Sequence, residues 1–197
     1  MNLTNIRRNI AYRITDPIVG ILSKSGITPN TRTSINLALN IVAAYFIATG
    51  HFLLGGVLVL VAGLFDLLDG ALARFTKQTT KFGAILDSVA DRISEAAILC
   101  GLLIWYVPQE GTDLKIVLIF IVLIGSFLVS YIRARAEGIG WQCQVGLFTR
   151  AERVIVLAIG LLINQTFIAL CVLVIFVFIT VVQRLVYLWK QAKIEGD

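Results

Sequence analysis

The chain has 197 residues, 58% of them hydrophobic, with 17 Lys and Arg against 12 Asp and Glu and a net charge of +5. Its mean hydropathy of +0.88 excludes a water-soluble domain of this size and predicts an integral membrane protein. No nucleic-acid partner is expected. Cys100, Cys143 and Cys171 have no metal or redox spacing, and Cys100 and Cys171 fall in apolar runs, where they read as packing residues. His51 stands alone beside a turn and takes no role.

Residues 1–24 carry Arg7, Arg8, Arg13 and Lys24 between short apolar stretches, with no small-residue cleavage site. They predict an amphipathic interfacial helix over residues 1–25. Six hydrophobic segments follow, at 32–50, 52–75, 84–107, 114–137, 149–163 and 167–189. Each approaches the roughly 20 residues a spanning helix needs, the fifth only if it extends in both directions. Helices satisfy their own backbone in lipid, and no alternating barrel strands occur. The breaks are Thr49-Gly50-His51, residues 108–113 and Asn164-Gln165-Thr166. The expected fold is all-α: six transmembrane helices preceded by the N-terminal amphipathic interfacial helix. It forms one membrane domain over 1–197, with the six-helix bundle at 32–189.

Of the 17 Lys and Arg, all but Lys115 fall in the N-terminal segment, at the 2–3 junction, around the 4–5 connection or at the end of helix six. The positive-inside rule then places both termini and those two connections in the cytoplasm, in a multi-pass protein of the cytoplasmic membrane. Topology alone accounts for Arg7, Arg8, Lys190 and Lys193. Arg74, Arg133, Arg135 and Arg153 belong to denser constellations.

The chemistry lies between helices two and three. The chain reads Asp66-Leu-Leu-Asp69-Gly70-Ala-Leu-Ala73-Arg74, then eight residues, then Gly83-Ala-Ile-Leu-Asp87-Ser-Val-Ala-Asp91. An ionised carboxylate in a bilayer costs roughly 2.5–3.5 kcal/mol on insertion scales, so it usually marks function. Asp66 and Asp69 share one helix face with Gly70, Ala73 and Arg74, and Asp87 and Asp91 share a face on the next helix. The connection 75–82 lets the two helices pack antiparallel and brings the Asp pairs together near the cytoplasmic end. Gly70, Ala73, Gly83 and Ala84 permit close approach there. Four such carboxylates need cations, and oxygen donors without His or Cys suit magnesium, manganese or calcium rather than zinc. Two ions would suit a phosphate substrate, and a remaining carboxylate could take a proton from an attacking hydroxyl. The plainer alternative is helix-helix ion pairing with Arg74 and Arg92.

The pattern D-x2-D-G-x2-A-R-x8-G-x3-D-x3-D, matched at every fixed position from Asp66 to Asp91, resembles the CDP-alcohol phosphotransferase family. The resemblance implies six transmembrane helices, a homodimer and two divalent cations, magnesium first and manganese second. It also implies displacement of CMP from a CDP-activated lipid by an alcohol. It gives Asp66, Asp69, Asp87 and Asp91 to the metals and makes Asp91 the general base. Gly70, Arg74 and Thr80 would contact the CDP moiety. Asn30, Thr31, Arg32 and Thr33, in the segment 26–33, resemble the family's other CDP-lipid contact. On residues alone, Pro29-Asn30 is a turn and helix start.

The acceptor is addressed by arginines. Ser130-Tyr-Ile-Arg133-Ala-Arg135-Ala-Glu137, then Arg150-Ala-Glu152-Arg153, then Gln183-Arg184-Leu185 are expected around the mouth of a cytoplasmic cavity. Guanidinium binds phosphate bidentately, and a neutral acceptor would not need such a cluster. These segments resemble the phosphatidylinositol phosphate synthase branch of the family, found in bacteria with an archaeal counterpart acting on CDP-archaeol. That resemblance implies CDP-diacylglycerol as donor and inositol 1-phosphate as acceptor. Arg133, Arg135, Arg153 and Arg184 would contact the acceptor phosphate. The branch often has lysine where Arg133 stands. The alternatives are glycerol 3-phosphate or another phosphorylated alcohol as acceptor, CDP-archaeol as donor, a cation transporter and an inactive scaffold.

Overall fold

The structure, a computed structural model, describes residues 29–76 and 80–195, with the side chains of 30–66 and 80–194. Six helices lie among the described residues: α1 Pro29–Ala48, α2 Phe52–Thr76, α3 Lys81–Tyr106, α4 Asp113–Gly138, α5 Arg150–Leu162 and α6 Thr166–Glu195. They follow the six hydrophobic segments, and their boundaries fall at the expected breaks. The expected interfacial helix over 1–25 lies outside the described residues. By length and composition, α4 and α6 up to Ile194 can cross a membrane. The apolar part of α2, Phe52–Asp66, is shorter.

The fifth helix does not extend in both directions. Its 13 residues span about 20 Å, less than a bilayer's hydrocarbon thickness. Both ends are set locally. The Glu152 carboxylate accepts from the Thr149 amide at 2.8 Å, a capping box that starts the helix at Arg150. Asn164 adopts a left-handed φ of 54° and the Gln165 amide returns to the Gly160 carbonyl at 2.7 Å, which stops it.

The packing order differs from the expected α2–α3 hairpin. Among the described residues, α1 packs along both α2 and α3, α2 packs on α5, and α4 packs on α6. Small residues allow α1 to lie between its neighbours. A Cβ on Gly101 of α3 would sit 2.6 Å from the Ala44 carbonyl oxygen, and one on Gly55 of α2 would sit 2.5 Å from Ile47 Cγ1. These approaches close a core of Ala43, Ile47, Val59, Ile98, Leu99, Leu102, Leu157 and Leu170. Gly101→Ala should therefore force α1 off α3 and cost about 1–3 kcal/mol. A fall in melting temperature in detergent checks this against Gly138→Ala, whose Cβ meets nothing within 4 Å.

Of the cysteines read as packing residues, Cys171 is half-buried and Cys100 is exposed. Cys143, in the α4–α5 connection, is the buried one.

Candidate active site at the aspartate cluster

Among the described residues α2 and α3 pack little along their length, but Asp66 meets the start of α3. Asp66 of α2 and Asp87 and Asp91 of α3 each present a carboxylate oxygen within 4.8 Å of the others. The side chains of Asp69, Gly70 and Arg74 lie outside the described residues. Their backbone continues α2. From α1, Asn36 Nδ2 donates to Asp66 Oδ1 at 3.4 Å, and Asn40 Nδ2 donates to the Asn36 carbonyl at 2.9 Å. Both asparagines are buried, a polar stripe along one face of α1. The stripe is visible as Asn36-x3-Asn40, four apart and so on one face.

Among the described residues, the cation in contact with this cluster is Arg150. Its Nη1 lies 2.7 Å from Asp66 Oδ2 and 2.8 Å from Asp91 Oδ1. Arg92 donates to the Ser88 carbonyl one turn back on its own helix and lies within electrostatic reach of Asp87 and Asp91. Among the described side chains, the Arg150 guanidinium bridges two of the three carboxylates. The donors are oxygen only. That set fits a hard divalent cation, which accepts several carboxylates at once.

Arg150 carried no assigned role in the sequence, although its spacing held the signal. Arg150 and Arg153 are three apart on α5, and Asp91 and Glu95 are four apart on α3. The two pairs meet rung by rung. Arg153 Nε donates to Glu95 Oε1 at 2.7 Å and Nη2 donates to Oε2 at 2.8 Å, below the Arg150–Asp91 contact. The capping box sets this register, because it fixes where α5 begins.

A cavity of about 120 Å³ lies beside the cluster, between α1, α2, α3 and α5. Its polar wall is Asn40, Asp66, Ser94, Glu95 and Arg150; its apolar wall includes Leu60, Leu64 and Ile155.

Of the residues expected to meet the CDP moiety, Asn30 and Thr80 stand together at the starts of α1 and α3. Thr80 caps α3 by accepting from the Gly83 amide at 2.9 Å. A Cβ on Gly83 would lie 3.2 Å from Asn30 Oδ1, so the start of α1 adjoins the start of α3. Thr31, Arg32 and Thr33 occupy the first turns of α1.

The expected acceptor arginines lie on α4, α5 and α6. Arg133 and Arg153 lie within electrostatic reach of Arg184. Each already has partners. Arg133 Nε pairs with Glu137 at 2.8 Å on the helix surface. Arg184 Nε donates to the Val145 carbonyl at 3.0 Å and Nη1 to the Val129 carbonyl, so it ties the α4–α5 connection to α6. Gly146 sits over this tie with φ of 147°, and a Cβ there would lie 3.3 Å from Arg184 Nε. Arg135 is exposed near the end of α4.

The family model for CDP-alcohol phosphatidyltransferase matches residues 26–188. The chain belongs to the CDP-alcohol phosphatidyltransferase family. This is a membrane-integral family of phospholipid-synthesis enzymes that use divalent cations. Over 188 residues the chain is 36% identical to phosphatidylinositol phosphate synthase of Mycobacteroides abscessus, covering 91% of this chain and 86% of that one. Over 164 residues it is 38% identical to archaetidylinositol phosphate synthase of Pyrococcus horikoshii, covering 83% and 84%. The phosphatidylinositol phosphate synthase of Mycobacterium tuberculosis, solved with CDP-DAG bound, superposes with a TM-score of 0.79 at 34% identity, over 90% of this chain and 94% of that one. The same protein in complex with manganese and citrate gives a TM-score of 0.80 at 34% identity, over 89% and 88%. As a CDP-alcohol phosphatidyltransferase, the chain carries its metal-competent carboxylates on the stretch that bears the family's motif.

Proposed function

We propose that this enzyme transfers the phosphatidyl group of CDP-diacylglycerol to inositol 1-phosphate, giving phosphatidylinositol phosphate and CMP. The observation that carries the reading is the convergence of Asp66, Asp87 and Asp91 within 4.8 Å, on the family's motif. The relatives' names, and the CDP-DAG and manganese bound to the M. tuberculosis protein, support the donor, the acceptor and the metal dependence.

Asp66, Asp69, Asp87 and Asp91 are the proposed holders of two divalent cations, magnesium or manganese. Bound there, such ions polarise a phosphoryl oxygen and neutralise the leaving phosphate. The chain's own residues do the rest. Asn30, Thr31, Arg32, Thr33, Gly70, Arg74 and Thr80 bind the CDP moiety. Arg133, Arg135, Arg153 and Arg184 bind the acceptor phosphate, with Arg153 and Arg184 already oriented by their protein partners. Asp91 takes the proton of the attacking inositol hydroxyl. That oxygen bonds to the lipid-side phosphorus, the bridging P–O bond breaks, and CMP leaves with the bridging oxygen. Asn36 and Arg150 orient the carboxylates.

The same reading takes the chain as one domain of the cytoplasmic membrane, with both termini and the site facing the cytoplasm, and as a homodimer. The charge asymmetry around Lys115 supports the orientation. CDP-archaeol as donor is a second reading, supported by the likeness to the Pyrococcus enzyme. The test is CMP release by purified protein given CDP-diacylglycerol and one acceptor at a time. Release with inositol 1-phosphate is the expected result. Release with glycerol 3-phosphate alone would replace the acceptor.

A further inference from the structure

Glu95 lies outside the family's aspartate motif, one turn beyond Asp91 on the same face of α3. It is buried, and its partner Arg153 is 3% exposed. Two ions taken out of water are retained only when the geometry between them is good. Here it is bidentate: Nε and Nη2 of Arg153 each meet one oxygen of Glu95, at 2.7 and 2.8 Å. This arrangement uses one edge of the guanidinium, two of its three nitrogens, and leaves the third. Arg153 Nη1 is buried with no hydrogen-bond partner. An unmatched donor on a charged, fully buried group is costly, and a site that binds an anion gives it a partner. The neighbouring Arg184, within electrostatic reach, is tied by the Val145 and Val129 carbonyls rather than by a carboxylate.

We propose that Glu95 is a positioning residue of the acceptor site, clamping Arg153 through Nε and Nη2 so that Nη1 is presented to the phosphate of the acceptor. This rests on the reading above that Arg153 binds that phosphate. The clamp removes the rotamer freedom an arginine otherwise loses on binding, and it fixes the distance between the acceptor phosphate and Asp91. Asp91 and Glu95 stand one helical turn apart, and Arg150 and Arg153 answer them from one turn of α5. The proton acceptor and the phosphate anchor are thus held on a single α3–α5 frame.

The test measures KM for inositol 1-phosphate, KM for CDP-diacylglycerol and kcat in Glu95→Gln, Glu95→Asp and Arg153→Gln, each first checked for monodispersity and melting temperature in detergent. Glu95→Gln keeps the shape and loses the charge. It should raise the acceptor KM about tenfold or more while the donor KM stays within about twofold. Glu95→Asp, which keeps the charge, should recover part of that loss, and it decides the question alone if the glutamine variant does not fold. If Arg153→Gln raises the acceptor KM and neither Glu95 variant does, the clamp is wrong and Arg153 binds phosphate without it. If the Glu95 variants raise both KM values together, the pair only braces the helices and the proposal falls. If Arg153→Gln leaves the acceptor KM unchanged, the reading of Arg153 itself is overturned.

Discussion

Asp91→Asn should reduce CMP release at least about a thousandfold while leaving the protein folded. A positioned general base contributes about 10²–10⁴ to rate, and this carboxylate is also a proposed metal holder, so the two losses compound. Asparagine has nearly the same shape and keeps α3 intact. Arg150 keeps its second contact, to Asp66 Oδ2 at 2.7 Å, so the frame around the site survives. Turnover measured beside melting temperature in detergent separates chemistry from folding. A folded Asp91→Asn protein with wild-type turnover would move the base elsewhere.

Stripping divalent cations with EDTA should abolish CMP release, and magnesium or manganese should restore it. The reason is electrostatic. Two unit charges 4 Å apart interact with about 4 kcal/mol at an effective dielectric near 20, and three carboxylate oxygens here lie within 4.8 Å of one another. Arg150 bridges two of them and offsets part of that repulsion. The same cations should raise the melting temperature, since a ligand bound only by the folded state stabilises it. Arg150→Gln removes the internal counter-charge, so its melting temperature should rise more with magnesium than the wild type's. EDTA-resistant turnover would exclude metal-dependent transfer.

The helices were largely legible because lipid leaves the backbone few options: among the described residues six helices follow the six apolar segments, with breaks at Gly50, Pro108 and Asn164 as expected. Their neighbours were less legible. Close approach at Gly101 and Gly55 depends on which residue lies opposite, and periodicity does not carry that information, so α1 between α2 and α3 was missed. The aspartates were legible because charge is conspicuous in an apolar chain. Arg150 and Glu95 were not, although Asp91-x3-Glu95 and Arg150-x2-Arg153 stand in plain view. Each pair alone is an ordinary helical spacing, and the fold is what sets one against the other. The backbone partners of Arg184 were likewise not legible: two of its nitrogens donate to the Val145 and Val129 carbonyls, which sequence spacing does not reveal.

The central claim is transfer of the lipid-side phosphate from donor to acceptor. The most direct measurement uses CDP-diacylglycerol labelled with ³²P at the lipid-side phosphorus, with inositol 1-phosphate and magnesium, and follows the label by product chromatography. The label should appear in phosphatidylinositol phosphate, with unlabelled CMP released in equal amount. Label in CMP, or in phosphatidic acid without an inositol-containing product, would contradict it.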